Sequence, residues 1–472
     1  MKGLRLMNKT LTALIASTAI MFTTANLEAA KPNTQAKKAV TKDWTVAVFL
    51  NADNNLDYFG VQDQNEMAKV GSNDYMNIVT LIDRERGPAQ INYIEKDNIK
   101  KIKDMGELDM GDYKEFVKFV KFVKDNYPAK KYCFSIWNHG SGWKNKEKNI
   151  VRGVSYDDSS NNHITTNQLS VALKEANEIL GQKIDVLCFD ACLMQMAEVL
   201  YACKDYTKYM VASEETEPGD GAPYDEILKD VKKGMTPADF ADNWVGSYLT
   251  SYSDMSDNPQ ATTQSAVDMS KVDKLIDAIN GFAKAVIAGK HAGIVGRAQA
   301  WSQHYAYNEN IDLISLFNSM IIYLKEIKDP GLTTAIEKVR AAVKEAVITN
   351  GYTDEGLENS HGVAIFLPSA MGARVPKLYR ELAFAKDTMW DEMIDEMGKR
   401  AIIDEVIKDV KAGKTASFKK AVAEAKKQPN NAVYRSLLRE MNYVFASENA
   451  VPAKNKAEVE KLLNDLKQAV KR

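Results

Sequence analysis

Cysteine and histidine are scarce in this chain, and neither sign of charge is in excess. The 472 residues include four cysteines and five histidines, and four cysteines in a chain of this length do not make a disulfide framework. The formal net charge of -2 gives no indication of binding to nucleic acid or to a membrane surface. The composition, 45% hydrophobic and 27% charged, is that of a globular protein, and the length suggests one large domain with an appendage, or two to three domains.

Several motifs of metal and cofactor enzymes are also missing. The sequence has no HExxH, no paired CxxC, no phosphate-cradling glycine loop and no G-x-S-x-G. The spaced Asp53, Asn55 and Asp57 hint at calcium, but Tyr58 stands where an EF-hand has glycine and Gln64 where it has a bidentate glutamate. We interpret this segment as a polar loop that caps a helix. No metal ligand and no certain cofactor is assigned, and calcium stays an open alternative.

Long apolar runs are absent except near the N-terminus. A basic segment precedes the apolar run Leu11–Phe22, which is too short to span a bilayer, and a small-residue cleavage site follows at Ala29. This pattern predicts a signal peptide over residues 1–29 and a disordered lead-in over residues 30–43. The expected protein is secreted or periplasmic and has no stable membrane insertion.

Strand and helix patterns alternate through the middle of the chain. The segment Ile184–Phe189 is a short apolar run, typical of a strand buried on both faces of a parallel sheet. Capping residues predict helices over about residues 57–69, after Asp112, and from Thr165 or Thr166 to Gly181. The predicted fold is α/β, with a mostly parallel central sheet flanked by helices. From about residue 401 the sequence is Lys-rich and helical, which predicts a separate C-terminal appendage over 401–472.

Two chemically active residues follow two of the predicted strands. His139 comes after the strand Tyr132–Trp137, and Cys192 comes after Ile184–Phe189. The order strand, helix, strand makes these strands parallel and adjacent, so both residues should emerge at the sheet edge where ligands bind. The apolar spacing from Leu193 onward predicts that a helix begins at Cys192, and a helix N-terminus would favour the thiolate.

A cysteine and a histidine so placed can perform acyl transfer. His139 can act as the general base for Cys192, and the backbone N–H groups of Gly140 and Cys192 can stabilise an oxyanion. Glycine suits this position because a close backbone approach leaves no room for a side chain. The alternative is that both residues are ordinary core or loop residues, as we expect for the buried Cys133, Cys188 and Cys203.

Two blocks of the sequence resemble the clostripain family of cysteine peptidases, which has the caspase-haemoglobinase fold. They are FSIWNHGSGW (Phe134–Trp143) and DVLCFDACLMQMAEV (Asp185–Val199). The resemblance continues in Val46–Asp57, Pro218–Tyr224 and Gly362–Pro368. It therefore implies a caspase-like peptidase domain over residues 44–400.

The resemblance also implies a site. Cys192 matches the family nucleophile and His139 the catalytic histidine, while Asp190 and Asp220 match acidic residues of an S1 pocket for arginine or lysine. From the residues alone, Asp190 could instead cap a helix and Asp220 could shape a turn. The basic loop Lys144–Arg152 matches the region where members cut themselves, and we predict cleavage after Lys148 or after Arg152.

The sequence thus predicts a secreted endopeptidase that acts on peptides and proteins at Arg or Lys and has no nucleic-acid partner. One alternative is a catalytically silent surface or binding protein on the same fold. The intact His139, Cys192 and Asp220 argue against it. A second alternative is a thiol transpeptidase, which passes through the same acyl-enzyme.

Overall fold

A computed structural model describes residues 40–143, 153–253, 260–370, 373–447 and 450–470. The predicted signal peptide, most of the lead-in and the basic loop Lys144–Arg152 lie outside these residues. Within them, none of the helices combines the length and the apolar character needed to cross a membrane.

The strands of the described residues include the predicted ones and several more. They are β1 (Lys42–Ala52), β2 (Met76–Arg84), β3 (Ala89–Glu95), β4 (Asn98–Gly106), β5 (Ala129–Trp137), β6 (Gly153–Asp157), β7 (Asn162–Thr165), β8 (Ile184–Asp190), β9 (Thr207–Ala212), β10 (Thr263–Asp268), β11 (Asn310–Asp312), β12 (Val347–Tyr352) and β13 (Ala364–Phe366).

In the part of the chain that the structure describes, nine strands form the central sheet in the order β12-β10-β9-β8-β5-β1-β2-β3-β4. The inner strands β9, β8, β5, β1 and β2 are parallel, whereas β3 and β4 at one edge and β10 and β12 at the other are antiparallel. The predicted α/β class with a mostly parallel centre is confirmed. The sequence did not predict β4, because its lysines and exposed side chains are those of a protected edge strand rather than of a core strand.

Helices cover both faces of the sheet. They are α1 (Asp57–Val70), α2 (Tyr113–Asn126), α3 (Thr166–Leu180), α4 (Ala197–Cys203), α5 (Tyr224–Lys229), α6 (Pro237–Ser253), α7 (Val272–Gly289), α8 (Ala292–Gln299), α9 (Leu313–Ile327), α10 (Pro330–Ala346), α11 (Ala383–Asp387), α12 (Trp390–Lys411), α13 (Ala416–Lys427), α14 (Ala432–Ala446) and α15 (Lys456–Ala469).

Each inner strand contributes side chains to two hydrophobic cores. In β1, Val46 and Val48 belong to the core closed by α1, α5 and α6, whereas Ala47 and Phe49 belong to the core closed by α2, α3 and α7. This alternation follows from the two-residue period of a strand. Because both faces are covered, the inner strands consist of continuous apolar runs.

Local capping residues determine the ends of α2 and α3. Asp112 caps α2 by accepting a hydrogen bond from the Lys114 N–H. Thr165 and Gln168 form a capping box at the start of α3, and Gly181 ends that helix in a left-handed conformation at φ 72°. These predicted boundaries are confirmed.

A short strand near the end of the α/β region lies outside the central sheet. Of the apolar segment His361–Pro368, β13 contains Ala364–Phe366 and pairs with β11 in a separate two-stranded sheet. A bridge from Ala364 to Met196 joins this small sheet to the chain that follows β8. The segment therefore supports the loop after β8 instead of extending the central sheet.

The C-terminal helices form a region with its own hydrophobic core. Buried side chains from Ile403 to Ala469 make one cluster, which includes Phe418, Leu437 and Leu466. A helical appendage is therefore present, as predicted. The predicted boundary between residues 400 and 401 falls inside α12, so one continuous helix runs from the α/β region into the appendage.

Candidate active site

His139 and Cys192 follow neighbouring strands at the same edge of the sheet. The strands β5 and β8 are parallel, and their register places Trp137 beside Asp190. The Asn138 N–H donates to the Asp190 carbonyl at 3.1 Å, which continues the pairing beyond the strand ends. His139 and Cys192 each come two residues after the paired Trp137 and Asp190, so the predicted adjacency of the two strands is confirmed.

Gly140 lies directly against the Cys192 backbone. A Cβ atom at this position would lie 2.4 Å from the Cys192 carbonyl oxygen and 3.0 Å from the Ala191 Cβ. The predicted close approach is therefore present, and only glycine fits it without displacement. The use of the Gly140 and Cys192 N–H groups as an oxyanion hole stays a prediction.

The chain after Cys192 is a loop rather than the predicted helix. The helix α4 begins at Ala197, and Leu193 has a left-handed φ of 63°. The Leu193 N–H donates to the Glu215 carbonyl at 3.0 Å and the Gln195 N–H to the Ser213 carbonyl at 2.9 Å. The helical spacing of Leu193 and Met196 reflects burial in this packed loop, so the prediction of a helix dipole at Cys192 is wrong.

The half-buried Cys192 is therefore a neutral thiol in this structure. Its sulfur accepts a hydrogen bond from the Glu217 N–H at 3.3 Å. Burial, reinforced by the Glu217 carboxyl group, raises the pKa of the Cys192 thiol to about 11. Formation of a thiolate at neutral pH requires a base.

His139 is in the state that a base requires. Its Nε2 lies 2.7 Å from Asn55 Oδ1. An amide oxygen only accepts, so Nε2 carries the ring proton and Nδ1 is the basic nitrogen. Burial lowers the pKa of His139, with a smaller opposing effect from Asp158, and the ring is neutral at pH 7.

Asn55 was not assigned a role at this site from the sequence. Its position carries a signal, because it follows β1, the other strand beside β5, at the carboxyl edge of the sheet. Two other polar side chains of this loop have partners elsewhere. Asp57 accepts two hydrogen bonds of 2.7 Å from Arg84, and Asn54 Oδ1 accepts from the Leu56 N–H at 2.8 Å.

These contacts change the interpretation of the loop as a helix cap. Leu56 is the N-cap of α1 and has no side-chain capping bond, so the capping part of that prediction is wrong and the loop part is right. In the described ranges, no group of three or more His, Cys, Asp or Glu side chains is arranged to hold a metal ion.

Asp190 is the last residue of β8 and lies with its side chain inside the protein. Its Oδ1 accepts from the Ala222 N–H at 3.1 Å, while its Oδ2 has no hydrogen-bond partner in the described residues. The alternative that Asp190 caps a helix is wrong, because it lies seven residues before α4. Burial raises the pKa of Asp190 to about 6, against the hydrogen bonds from Tyr224 and Ala222 that lower it.

Two further acids that the sequence analysis missed lie near Asp190. Asp63 of α1 accepts from Trp137 Nε1 at 2.6 Å, and Glu217 Oε1 accepts from Gln264 Nε2 at 3.1 Å. Burial, and next the charge of Asp190, raise the pKa of both carboxyl groups well above the usual range. A signal for Asp63 exists in the sequence, since it lies three residues from Gly60 and four from Met67 on the buried face of α1.

Asp220, the other predicted S1 residue, is exposed at the rim of this group. It belongs to the loop that carries Gly221, whose backbone has a φ of 62°. A Cβ on Gly221 would lie 3.0 Å from Asp190 Oδ1, so this glycine keeps the loop close to the buried acid. The structure thus brings Asp190 and the loop of Asp220 together.

The other cysteines lie in the core, as predicted. Cys133, Cys188 and Cys203 are fully buried, and the sulfur atoms of Cys133 and Cys188 are 3.8 Å apart on neighbouring strands. The basic loop with Lys148 lies outside the described residues, but a hydrogen bond joins the described chain on its two sides. The Ser141 N–H donates to the Gly153 carbonyl at 3.1 Å.

Comparison with known proteins agrees with this geometry. Clostripain from Hathewaya histolytica is 28% identical in an alignment of 224 residues that covers 40% of this chain and 42% of clostripain. The match therefore spans less than half the length of that relative. Two solved structures share the fold. One is a secreted C11 cysteine protease from Bacteroides thetaiotaomicron, which has a TM-score of 0.58 and 21% identity and covers 75% of this chain and 99% of its own. The other is an inactive zymogen C11 protease from Parabacteroides distasonis, which has a TM-score of 0.57 and 20% identity and covers 74% of this chain and 99% of its own.

These likenesses confirm the predicted caspase-like fold. The sequence model of the clostripain family matches residues 48–397, which is well over half of the chain. It contains β5, β8 and the loops that carry His139 and Cys192. The chain belongs to the clostripain family of cysteine peptidases.

Proposed function

We propose that the protein is an exported cysteine endopeptidase that cleaves peptide bonds after Arg or Lys, with Cys192 as nucleophile and His139 as general base. The observation that carries this proposal is the pairing of β5 with β8, which places both residues at one sheet edge with Gly140 against the Cys192 backbone. A neutral histidine beside a neutral thiol suits a base that takes its proton during the attack.

The reaction proceeds by acyl transfer. His139 Nδ1 takes the thiol proton as the Cys192 sulfur bonds to the substrate carbonyl carbon, and the N–H groups of Gly140 and Cys192 stabilise the oxyanion. When the intermediate collapses, His139 gives the proton to the leaving amine. A water molecule, deprotonated by His139, then attacks the acyl-enzyme, and the acid product and the free thiol are released.

The preference for a basic side chain rests on Asp190 and Asp220. Asp190 is buried and has an unpartnered oxygen, and a buried carboxylate is costly unless a cation meets it. Asp220 lies at the rim, where it attracts the same cation. Because Asp220 is exposed, we expect Asp220→Ala to cost cleavage after Arg or Lys about 0.2–1 kcal/mol while folding changes little. Profiling on a peptide library measures this, and an unchanged basic preference would place the pocket elsewhere.

Activation by self-cleavage in the basic loop is part of the proposal. Lys144, Lys146, Lys148 and Arg152 offer bonds of the preferred type, and the hydrogen bond from Ser141 to Gly153 holds the flanking chain. A cut after Lys148, or after Arg152, would therefore leave β5 and β8 in the sheet. One structure with the same fold is that of an inactive zymogen.

The site of cleavage is tested by expressing the wild type beside Cys192→Ala and sequencing new N-termini. We expect a cut in the wild type alone. If the wild type is active as one uncut chain, or Cys192→Ala is cut equally without added protease, self-activation at this loop is wrong.

Turnover of short Arg- and Lys-ended reporter peptides tests the activity itself. Iodoacetamide, Cys192→Ala and His139→Ala should each abolish it, while Cys133→Ala should retain it because that thiol is buried away from the site. A fold-intact protein without turnover would favour a silent binding protein. Transfer of the acyl group to an added amine in place of water would favour a transpeptidase.

The proposal of export rests on the N-terminal sequence pattern, and one protein with the same fold is described as secreted. Expression of the full chain in a bacterial host, followed by fractionation and N-terminal sequencing, tests it. A mature N-terminus near Ala30 outside the cytoplasm is expected. Retention of the first 29 residues would contradict it.

A further inference from the structure

The acids next to the nucleophile extend beyond Asp190 and Asp220. Asp63 comes from α1, Asp190 from the end of β8 and Glu217 from the loop after β9. The exposed fraction of each residue is small, at 0%, 5% and 8% respectively. We refer to Asp63, Asp190 and Glu217 as the inner acids.

Each inner acid has one satisfied and one unsatisfied carboxyl oxygen. The satisfied oxygens accept from Trp137, Ala222 and Gln264. The Tyr224 hydroxyl and the Ala191 N–H further stabilise the ionised forms of Asp190 and Glu217, respectively. Asp63 Oδ1, Asp190 Oδ2 and Glu217 Oε2 are buried without a hydrogen-bond partner in the described part of the chain. Buried polar atoms without a partner cost about 1–3 kcal/mol each, so three of them together call for an explanation.

The described groups around the inner acids do not include a cation. Facing them are the carboxyl groups of Glu66 on α1 and Asp220 in the rim loop, the thiol of Cys192, and the hydroxyls of Tyr224 on α5 and of Tyr248 and Tyr252 on α6. Among the described residues, none of the inner acids forms an ion pair with Lys, Arg or His. The charges of Asp63, Asp190, Glu217 and Asp220 all act on Tyr252, whose hydroxyl donates to the Gly221 carbonyl at 2.6 Å.

A structural role explains the accepted hydrogen bonds of the inner acids but not their unpartnered oxygens. The hydrogen bonds from Trp137 and Gln264 tie α1 and β10 to the site, and an amide in place of each acid could accept the same bonds. An amide would also avoid the like-charge repulsion among the acids. The unpartnered oxygens, which come from three elements around the end of β8, therefore point to a cation as their missing partner.

We propose that Asp63 and Glu217 join Asp190 as the inner wall of the S1 site and determine its specificity for a guanidinium or ammonium group. This inference rests on the proposed function, which supplies the peptide substrate. A bound cation brings N–H donors to the three free oxygens. It also favours the ionised acid, so binding near neutral pH releases a proton from the inner acids to solvent.

The proposal is tested with Asp63→Asn and Glu217→Gln, which keep the shape and the accepted hydrogen bonds of each side chain. Reporter peptides that end in arginine and in citrulline, its neutral isostere, separate charge recognition from the chemical step. We expect the Arg-to-citrulline ratio of kcat/KM to fall about 30-fold or more in each variant, as for a charge pair that loses one buried partner. An unchanged ratio in either variant overturns the proposal.

Glu214→Gln is the matched control. Glu214 is equally buried and also has an unpartnered oxygen, but it accepts from the Gly362 N–H and faces Asp312 and Tyr305 instead of the inner acids. The Arg-to-citrulline ratio of kcat/KM in Glu214→Gln should equal that of the wild type. A ratio that falls equally in all three variants would assign the effect to general loss of packing and overturn the proposal.

A second measurement stays decisive if a variant fails to fold. Methylguanidinium is titrated into Cys192→Ala by calorimetry in two buffers of different ionisation enthalpy at pH 7, and protons should be released when the cation binds. Binding without proton release overturns the proposal. If the wild type shows no preference for Arg over citrulline, the proposed specificity of the enzyme fails. If the wild type prefers Arg and the Asp63→Asn and Glu217→Gln variants keep that preference, only the role of the inner acids fails.

Discussion

Replacement of Gly140 by alanine tests the geometry on which the proposed chemistry depends. The new methyl carbon would lie 2.4 Å from the Cys192 carbonyl oxygen, and ordinary van der Waals contact begins at 3.4 Å, so the chain after β5 and the chain after β8 must separate by about 1 Å. The neighbour is backbone and Ala191 Cβ, so no flexible side chain can move aside.

A displacement of this size moves both proposed oxyanion donors relative to the sulfur. Misplacement by about 1 Å can cost on the order of 100-fold in rate. That loss corresponds to about 2.7 kcal/mol of transition-state stabilisation. We therefore expect kcat of Gly140→Ala on an Arg-ended reporter to fall on the order of 100-fold, while KM changes little because the inner acids and Asp220 are unaltered.

Steady-state kinetics of the processed enzyme measures the effect, with Gly246→Ala as control. Gly246 lies exposed in α6, where an added Cβ meets nothing within 4 Å, so its kinetics should match the wild type. Thermal unfolding of both variants shows whether the fold is retained. A folded Gly140→Ala enzyme with unchanged kcat would refute the assignment of this close approach to the oxyanion site.

Three other predictions concern His139, Cys192 and a buried acid. Asn55→Ala removes the hydrogen-bond partner of His139 Nε2. Steady-state kinetics should show a fall in kcat on the order of 10-fold, because the imidazole ring is misoriented. An unchanged kcat would show that the ring does not need this hydrogen bond. The rate at which iodoacetamide alkylates Cys192 in the uncut chain should rise about tenfold per pH unit as the thiolate forms. It should level off only near pH 11, since burial raises the pKa of the thiol to about 11. A plateau below pH 8 would contradict a buried neutral thiol. Burial raises the pKa of Glu198 from 4.5 to about 7 in the folded state, so the folded state holds a proton that the unfolded state loses, and stability falls by about 3 kcal/mol as pH rises through this interval. Because other buried acids also have raised pKa values, the loss between pH 5 and pH 8, measured by urea unfolding, should be smaller in Glu198→Gln than in the wild type by about this amount, and an equal loss in both would assign it to those other groups.

Much of the fold and the two central site residues could be predicted from the sequence. The run Val186–Phe189 is apolar at every position, which indicates a strand covered on both faces. The capping box at Thr165 and the left-handed Gly181 delimit the crossover helix α3. A strand, a crossover helix and a strand must be parallel, so His139 and Cys192 had to emerge at one edge.

Tertiary structure decided the features that depend on contacts between distant segments. The spacing of Leu193 and Met196 is compatible with a helix, but hydrogen bonds to Ser213 and Glu215 hold that segment as a loop. The edge strand β4 exists because β3 offers it a free edge, although its lysines give no core pattern.

The chemistry of the site likewise depends partly on the sequence and partly on the tertiary structure. The residue types and their order along the chain determined that a cysteine, a histidine and a glycine would meet at one sheet edge, because backbone hydrogen bonding and strand handedness are local rules. The contacts of Asn55 with His139, of Asp63 with Trp137 and of Glu217 with Cys192 join residues that are 84, 74 and 25 positions apart in the chain. Only the packing of α1 and of the loop after β9 against the sheet brings them together, because burial and unpaired charge are properties of the assembled core.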